Sequence, residues 1–73
     1  MKPTEIEYTA HAEERLRERF ISKQDVETGI YNQKWVDAGG GRKKVIHSIN
    51  GKEIKAVFKP NHNKVLVITV HWM

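Results

Sequence analysis

Three side chains near the start of the chain have types and spacing suited to binding a phosphodiester. They are His11, Arg15 and Arg19, each four residues from the next. On an α-helix this spacing places all three on one stripe, with about 12 Å of axial rise from first to last. Arg19 has no acidic residue three or four positions away, and Arg15 has only Glu18, so the two guanidinium groups are poorly neutralised within a helix.

These residue types match the needs of RNA cleavage without a metal ion. That reaction requires a base for the 2′-OH proton, cations for the pentacoordinate phosphorane and an acid for the leaving 5′-oxygen. His11 is the candidate base, and Arg15 and Arg19 can donate bidentate hydrogen bonds to phosphate oxygens. The alternative is structural: His11 caps or packs the helix, and the arginines form a solvated face or pin the helix to strands.

Composition narrows the class of protein. Seventy-three residues with 38% hydrophobic content predict a single domain, 1–73, with a small packed core. The absence of cysteine excludes disulfides and thiolate metal sites and favours a reducing compartment. A net charge of +4 favours acidic partners such as RNA, DNA or an acidic antitoxin-like protein.

Location and cofactors are predicted from what the chain lacks. The first residues have no apolar run typical of a signal peptide, and no segment has the length and apolar content of a membrane span. We therefore expect a cytoplasmic protein of bacterial type, without a membrane partner. The four histidines lack the H-x₃-H or a similar spacing, so no metal site is expected. No cofactor is expected either.

The first half of the chain reads as two helices. Thr9 is the expected N-cap of the first, whose apolar stripe consists of Ala12, Leu16 and Phe20. Ser22 begins the second in a pattern resembling a capping box, and the helix ends at or just after Asn32.

The second half reads as four strands. They are expected at Lys34–Asp37, Lys44–Ile49, Lys52–Lys59 and Val65–Val70, separated by turns at Gly39–Gly41, Asn50–Gly51 and Pro60–Asn63. The fold class is therefore α+β, with two N-terminal helices packed on one face of a four-stranded antiparallel β-meander. Trp35 and Trp72 are expected to pack at the core or its edge. An exposed edge strand makes a homodimer plausible beside a monomer.

Turn lengths predict which residues share a face of this sheet. A two-residue turn at Asn50–Gly51 places His47 opposite Ile54. A four-residue loop at Pro60–Asn63 then places Ile54 opposite Thr69, so that His47, Ile54 and Thr69 form one row with His71 near its edge. His47 is in that case a second acid/base candidate, although His47 and His71 are equally typical of half-buried strand residues. A one-residue error would move Thr69 and His71 to the opposite face.

A basic strip lies on the predicted second and third strands. Its residues are Arg42, Lys43 and Lys44, with Lys52, Lys55 and Lys59 on the paired strand. Such a strip can follow a nucleic-acid backbone, and we name Arg42, Lys43, Lys44 and Lys55 as candidate contacts. The alternative is a set of edge lysines that discourage aggregation.

The chain resembles a large family of small uncharacterised bacterial proteins. The resemblance rests on the helical motif Tyr8-Thr9-x-His11-Ala12-x-x-Arg15-x-x-x-Arg19-Phe20-Ile21-Ser22, on Asn50-Gly51-Lys52 and on the ending Val67-Ile68-Thr69-Val70-His71-Trp72. That family is grouped with the RelE, barnase and colicin-type ribonuclease toxins and is similar to BrnT-type toxins. The resemblance implies a compact helix-plus-sheet fold. It makes His11 and Arg15 the leading catalytic candidates, followed by Arg19 and by Thr69 as a phosphate-binding hydroxyl.

Two functions follow as hypotheses. The first is a RelE-like toxin-type domain that binds RNA and can cleave it as a metal-independent endoribonuclease. The alternative is a non-enzymatic module whose cationic helix face anchors an acidic protein or a nucleic acid. Convergence of His11, Arg15 and Thr69 in one concave pocket favours the enzyme, and dispersal favours the module.

Overall fold

A computed structural model describes residues 3–73, which form five strands and two helices. In chain order the elements are β1 (Glu5–Tyr8), α1 (Ala10–Arg19), α2 (Lys23–Asn32), β2 (Val36–Gly39), β3 (Arg42–Ile49), β4 (Lys52–Asn61) and β5 (Lys64–Trp72). The strands form one sheet in the order β1-β5-β4-β3-β2. Strands β2 to β5 are an antiparallel meander, and β1 runs parallel to β5.

The α+β class, the two helices and the antiparallel meander of four strands are confirmed, but β1 adds a fifth, parallel strand, so the prediction that these four strands are the whole sheet is wrong. The additional strand, β1, alternates polar and apolar residues. Its Ile6 and Tyr8 pair with Val65 and Val67 and pack against the core. The Tyr8 hydroxyl also donates to Glu27 Oε2 at 2.8 Å, which ties β1 to α2.

Thr9 joins β1 to α1 and is the predicted N-cap. Its Oγ1 accepts from the Ala12 N–H at 3.0 Å, as an N-cap side chain should. The same hydroxyl donates to the Ile68 carbonyl at 3.2 Å, and the Thr9 N–H donates to the Val67 carbonyl at 3.0 Å. One residue therefore ends the strand, begins the helix and holds both to β5.

The end of α1 differs from the predicted apolar stripe. Ala12 and Leu16 are buried, but Phe20 is 93% exposed and lies outside the helix with φ of 54°. The Ile21 N–H bonds to the Leu16 carbonyl at 3.0 Å, which is the long bond of a Schellman motif. This left-handed turn redirects the chain, so Ile21 takes the buried position that the stripe assigned to Phe20.

The second helix begins and ends where the sequence predicts. The Ser22 hydroxyl accepts from the Asp25 N–H at 3.1 Å, and the helix ends at Asn32. An ion pair of 2.9 Å between Lys23 Nζ and Glu13 Oε2 links α2 to α1.

The turn between β3 and β4 agrees with the prediction, and the turn between β4 and β5 does not. Asn50 and Gly51 have φ of 49° and 85°, as a type I′ turn requires, and His47 pairs with Ile54 as predicted. The last loop contains only His62 and Asn63, since Asn61 and Lys64 are already paired. The predicted four-residue loop is therefore wrong.

Strand β2 is displaced toward the glycine turn relative to the prediction. It covers Val36–Gly39 and not Lys34–Asp37. Trp35 is held outside it, because its indole N–H donates to the Ile30 carbonyl at 2.9 Å and its ring packs edge-on against Phe58. The expected packing role of Trp35 is confirmed.

A β-bulge decides which face carries the end of β5. Phe58 pairs with Val67 and Val57 with Thr69, so Ile68 is an extra residue. The loop is two residues shorter than predicted, and a shift of two residues in the pairing leaves every side chain of β5 on its predicted face. The one residue inserted at Ile68 shifts the pairing by an odd number, and it moves Thr69 and His71 to the other face. Ile54 pairs with Trp72, and the predicted row of His47, Ile54 and Thr69 is wrong.

The helices cover one face of the sheet. The core consists of Ala12, Leu16, Ile21, Val26, Ile30, Val45, Ile54, Ala56, Phe58, Val65, Val67 and Val70. Strand residues that alternate with these point away from the helices. We call that surface the open face; it includes Lys44, Ile46, Lys55, Val57, Lys59, Lys64, Leu66, Thr69 and His71, and also the acidic Glu5, Glu7 and Glu53.

Replacing Phe20 by glycine should stabilise the protein. The left-handed conformation destabilises the folded state by about 1–2 kcal/mol when the residue has a Cβ, and glycine removes this cost. The greater freedom of glycine in the unfolded chain offsets about 0.4–1 kcal/mol of that stabilisation. Because the Phe20 side chain is almost fully exposed, little packing is lost. We expect Phe20→Gly to raise the free energy of unfolding by about 0.5–1 kcal/mol, measured by urea denaturation.

Phe20→Ala is the matched control, because it removes the ring and keeps the Cβ that makes this backbone unfavourable. We expect no gain from it. An equal gain in both variants would show that the ring, and not the backbone conformation, carries the cost.

Candidate nucleic-acid interface

The predicted stripe of His11, Arg15 and Arg19, which we call the helical stripe, is present on α1. The three side chains have different surroundings. His11 is exposed in the first turn. The half-buried Arg15 pairs with the Glu18 carboxylate, which holds the pKa of that carboxyl below its usual value. Arg19 donates from Nη1 to the Val70 carbonyl at 2.8 Å. That bond is the contact expected if Arg19 pins the helix to the strands.

His11, Arg15 and Thr69 do not share a pocket. Thr69 lies on the open face, whereas α1 packs on the opposite face of the sheet. Three surface depressions in residues 3–73 have volumes of 460, 320 and 410 Å³, and none is lined by Arg19 or by any of these three residues. This dispersal is the arrangement that favours a binding module over the predicted catalytic set.

The structure instead gathers four residues at the end of β5. Lys55 and His71 are direct cross-strand partners on the open face, and Thr69 precedes His71 by two residues on the same face. Arg19 reaches the carbonyl of Val70, which lies between them in sequence. We call Arg19, Lys55, Thr69 and His71 the edge cluster.

Arg19 can join the cluster because β5 is only partly covered at this edge. Strand β1 pairs with Lys64 to Val67 and then leaves for α1. The next carbonyls along the edge are taken by side chains: Ile68 by Thr9 and Val70 by Arg19. The Trp72 indole N–H donates to the Arg19 carbonyl at 2.9 Å and fixes the end of α1 there. Trp72 thus packs at the edge, as predicted.

His71 is the titratable member of the cluster. Partial burial lowers its pKa below the ordinary value, and the positive charges of Lys55 and Arg19 lower it further. This shift favours the neutral imidazole, which is able to accept a proton. A bound anion would reverse the effect of the two cations and favour the protonated ring.

The open face carries lysines that the protein leaves without ion-pair partners. Within residues 3–73 the ion pairs are Arg15–Glu18, Lys23–Glu13 and Lys64–Glu5, and none includes Lys44 or Lys55. Lys44 lies in the row of Val57 and Thr69. Ile46, which is 40% exposed, lies in the row of Lys55. Positive charge and apolar surface therefore alternate over this face.

Strand alternation divides the predicted basic strip between two faces. Lys44 and Lys55 lie on the open face with the edge cluster. Lys43 pairs with Phe58 and belongs to the helix face, and Arg42 is exposed at the start of β3. Of the four predicted contacts, Lys55 thus belongs to the cluster, Lys44 shares its face, and Arg42 and Lys43 lie apart from it.

His47 lies on the helix face, opposite the edge cluster. Its Nδ1 is 3.4 Å from Gln33 Nε2, and its Cβ would be 3.0 Å from a Cβ added at Gly29. It is therefore a half-buried strand residue packed under α2, which was the alternative to an acid/base role. The sequence reasoning omitted His71 from the site, since only the bulge shows that it shares a face with Lys55.

Two further observations concern the part of the chain from residue 3 onward. It contains no group of three or more His, Asp or Glu side chains arranged to hold a metal ion. Neither helix in that part has the length and apolar character needed to cross a membrane.

Removing the Lys55 charge should raise the pKa of His71. A nearby positive charge disfavours the imidazolium ion, so the Lys55→Gln variant should hold a proton to higher pH. NMR titration of the His71 ring protons measures the change directly. Lys59→Gln is the control, because Lys59 lies on the same face about four residues, or 13 Å, along β4. An unchanged His71 pKa in Lys55→Gln, or an equal rise in both variants, would contradict the cluster.

Comparison with known proteins gives one family match. Residues 8–72 match the family described as "Domain of unknown function (DUF4258)". No curated protein and no solved structure matches the chain. The matched region contains the helical stripe and the edge cluster together. The resemblance to a family of small uncharacterised domains is thereby confirmed, and the grouping with RelE and BrnT toxins stays a prediction. The chain belongs to the DUF4258 family.

Proposed function

We propose that this domain binds single-stranded RNA on the open face, with phosphate groups contacted by the edge cluster. The observation that carries the proposal is the meeting of Arg19, Lys55 and His71 beside Thr69, on a face where Lys44 and Lys55 have no ion-pair partner among the described residues. Phosphate contacts of this kind supply most of the affinity of sequence-independent nucleic-acid binding.

The remainder of the open face suits a single strand better than a duplex. Ile46 and Val57 lie between Lys44 and Lys55 and can contact sugars and bases that a duplex would keep stacked inside. The net charge of +4 steers polyanions toward the protein. The resemblance to ribonuclease toxins supports RNA as the polyanion, with the cytoplasm as the location.

Cleavage is the second part of the proposal, in the manner of a RelE-like toxin. His71 takes the proton of the 2′-OH, whose oxygen attacks phosphorus while the bond from phosphorus to the 5′-oxygen breaks. Lys55 gives a proton to the leaving 5′-oxygen, and a 2′,3′-cyclic phosphate forms. Arg19 stabilises the phosphorane, and Thr69 donates a hydrogen bond to a phosphate oxygen. No metal or other cofactor takes part.

A non-enzymatic role as a protein-binding module is the second candidate. Val36, Ile46 and Leu66 are 38–48% exposed and lie among the lysines of the open face. An acidic, partly apolar segment of an antitoxin-like protein would complement this surface and compete with RNA for it. The exposed edge of β2 leaves both a monomer and an edge-strand homodimer open.

Binding is tested with two double variants of equal charge. Lys44→Gln/Lys55→Gln removes two charges from the open face, and Lys23→Gln/Lys34→Gln removes two exposed charges elsewhere. The probe is a labelled single-stranded RNA of about 12 nucleotides, within the site sizes of small single-strand binders. Fluorescence anisotropy over a salt series should show weaker binding by the first variant only.

The salt dependence gives the count of lost contacts. Each phosphate contact contributes about 0.7 to the slope of log K against log salt for single strands, so the open-face variant should lose about 1.4. Equal losses in both double variants would mean that net charge alone attracts the RNA, which would overturn the proposed interface.

Cleavage is tested by comparing two histidines. His71→Gln should slow cleavage of an unpaired RNA by at least about 100-fold, the usual contribution of a general base, and should still bind RNA. His11→Gln should cleave at the wild-type rate. Gel analysis with a 2′-deoxy substitution at the cleaved position is the control, since that strand has no nucleophile. Wild-type cleavage by His71→Gln, or loss of cleavage in His11→Gln alone, would return the catalytic role to α1.

A further inference from the structure

Phe20 is exposed in a way that the fold does not require. Its side chain is 93% exposed, the highest value among the exposed large hydrophobic residues of the described chain. Its backbone has φ of 54°, a conformation that bulky residues rarely adopt. The ring adds little to the core and occupies a position where glycine would serve the turn better. Such a residue is a reason to look for a binding role.

The position of Phe20 brings it close to the edge cluster. It directly follows Arg19, whose carbonyl accepts the Trp72 indole N–H and whose guanidinium reaches the Val70 carbonyl. The Phe20 N–H is itself fixed to the last turn of α1. The ring is thus mounted on a backbone that is fastened to the end of β5, beside the proposed phosphate contacts.

The corner around Phe20 contains several cations, and the nearest acid in sequence, Glu18, is paired with Arg15. Arg17 and Arg19 precede it on α1, and Lys52 Nζ lies 5.9 Å from the centroid of the Trp72 ring. A free aromatic face next to cations that follow a backbone is the combination by which proteins bind single-stranded nucleic acids.

We propose that Phe20 stacks on a nucleobase of single-stranded RNA whose neighbouring phosphate is held by the edge cluster. This inference rests on the RNA-binding function proposed above. It makes Phe20 a binding residue that positions the strand and takes no part in the bond changes at phosphorus.

The test compares four proteins with the same labelled RNA by fluorescence anisotropy. Phe20→Ala should weaken binding roughly five- to 150-fold, the range that corresponds to about 1–3 kcal/mol for one stacked base. Phe20→Trp should bind at least as tightly as wild type. Phe20→Leu keeps an apolar side chain without an aromatic face and should bind nearly as weakly as Phe20→Ala. Circular dichroism of each variant checks that the fold is retained.

A second arm identifies the base. In a series of RNAs with one abasic position each, wild type should bind one of these RNAs more weakly than the intact strand. Phe20→Ala should bind that RNA and the intact strand equally well. Binding by Phe20→Leu at the wild-type level would overturn stacking in favour of a simple apolar contact. Additive effects of the abasic position and Phe20→Ala would overturn it as well.

Failure of this inference is distinguishable from failure of the proposed function. If Lys44→Gln/Lys55→Gln loses affinity and Phe20→Ala does not, the open face binds RNA and the stacking role is wrong. If wild type binds no RNA, both proposals are wrong. Wild-type RNA affinity in Phe20→Ala together with lost binding to an acidic protein partner would assign the ring to that protein.

Discussion

The β-bulge at Ile68 is the constraint on which the rest of this structure depends. Without it, strict alternation along β5 would bury Thr69 after Val65 and Val67. The extra residue lets Val70 enter the core in place of Thr69, so the core avoids a hydroxyl that would need a buried partner. The same shift presents Thr69 and His71 on the open face beside Lys55. One inserted residue therefore satisfies the core and assembles the edge cluster.

The edge of β5 shows how a structural contact and a binding role can belong to one residue. After β1 departs, the exposed carbonyls of Ile68 and Val70 need donors, and the side chains of Thr9 and Arg19 supply them. A guanidinium group has five N–H donors, and the bond to Val70 uses one of them. Arg19 can thus pin α1 to the sheet and still offer donors to a phosphate. The two interpretations of this residue that the sequence leaves open are compatible.

Features fixed by neighbouring residues could be predicted from the sequence, and features fixed by distant ones could not. The caps at Thr9 and Ser22 and the turn at Asn50–Gly51 depend on local hydrogen bonds and backbone conformation. The face of Thr69 depends on a bulge within Val65–Val70, where apolar residues occupy both alternating sets and the pattern favours neither register. Strand β1 has only four residues and becomes a strand by pairing with a segment about 60 positions away.

Phe20 and the candidate site were missed for related reasons. Four-residue spacing from Ala12 and Leu16 continues through Phe20, and nothing in that spacing shows that Ile21 fits the core better. For the site, the types of the residues were informative, and Arg19, Thr69 and Lys55 were each named. Their grouping with His71, apart from His11 and Arg15, required the sheet register.

Local charge compensation explains why the open face, and not the helical stripe, is the stronger candidate interface. Two cations of the helices are paired with acids: Arg15 with Glu18, and Lys23 with Glu13, whose carboxyl pKa falls as a result. Such exposed pairs add little stability, but they cancel much of the field that a distant anion would experience. Lys44 and Lys55 are in none of the ion pairs of the described residues, although Lys64 pairs with Glu5 on the same face. Lys44 and Lys55 therefore offer unpaired positive charge on the face that also carries His71 and Thr69, and this charge attracts an approaching polyanion.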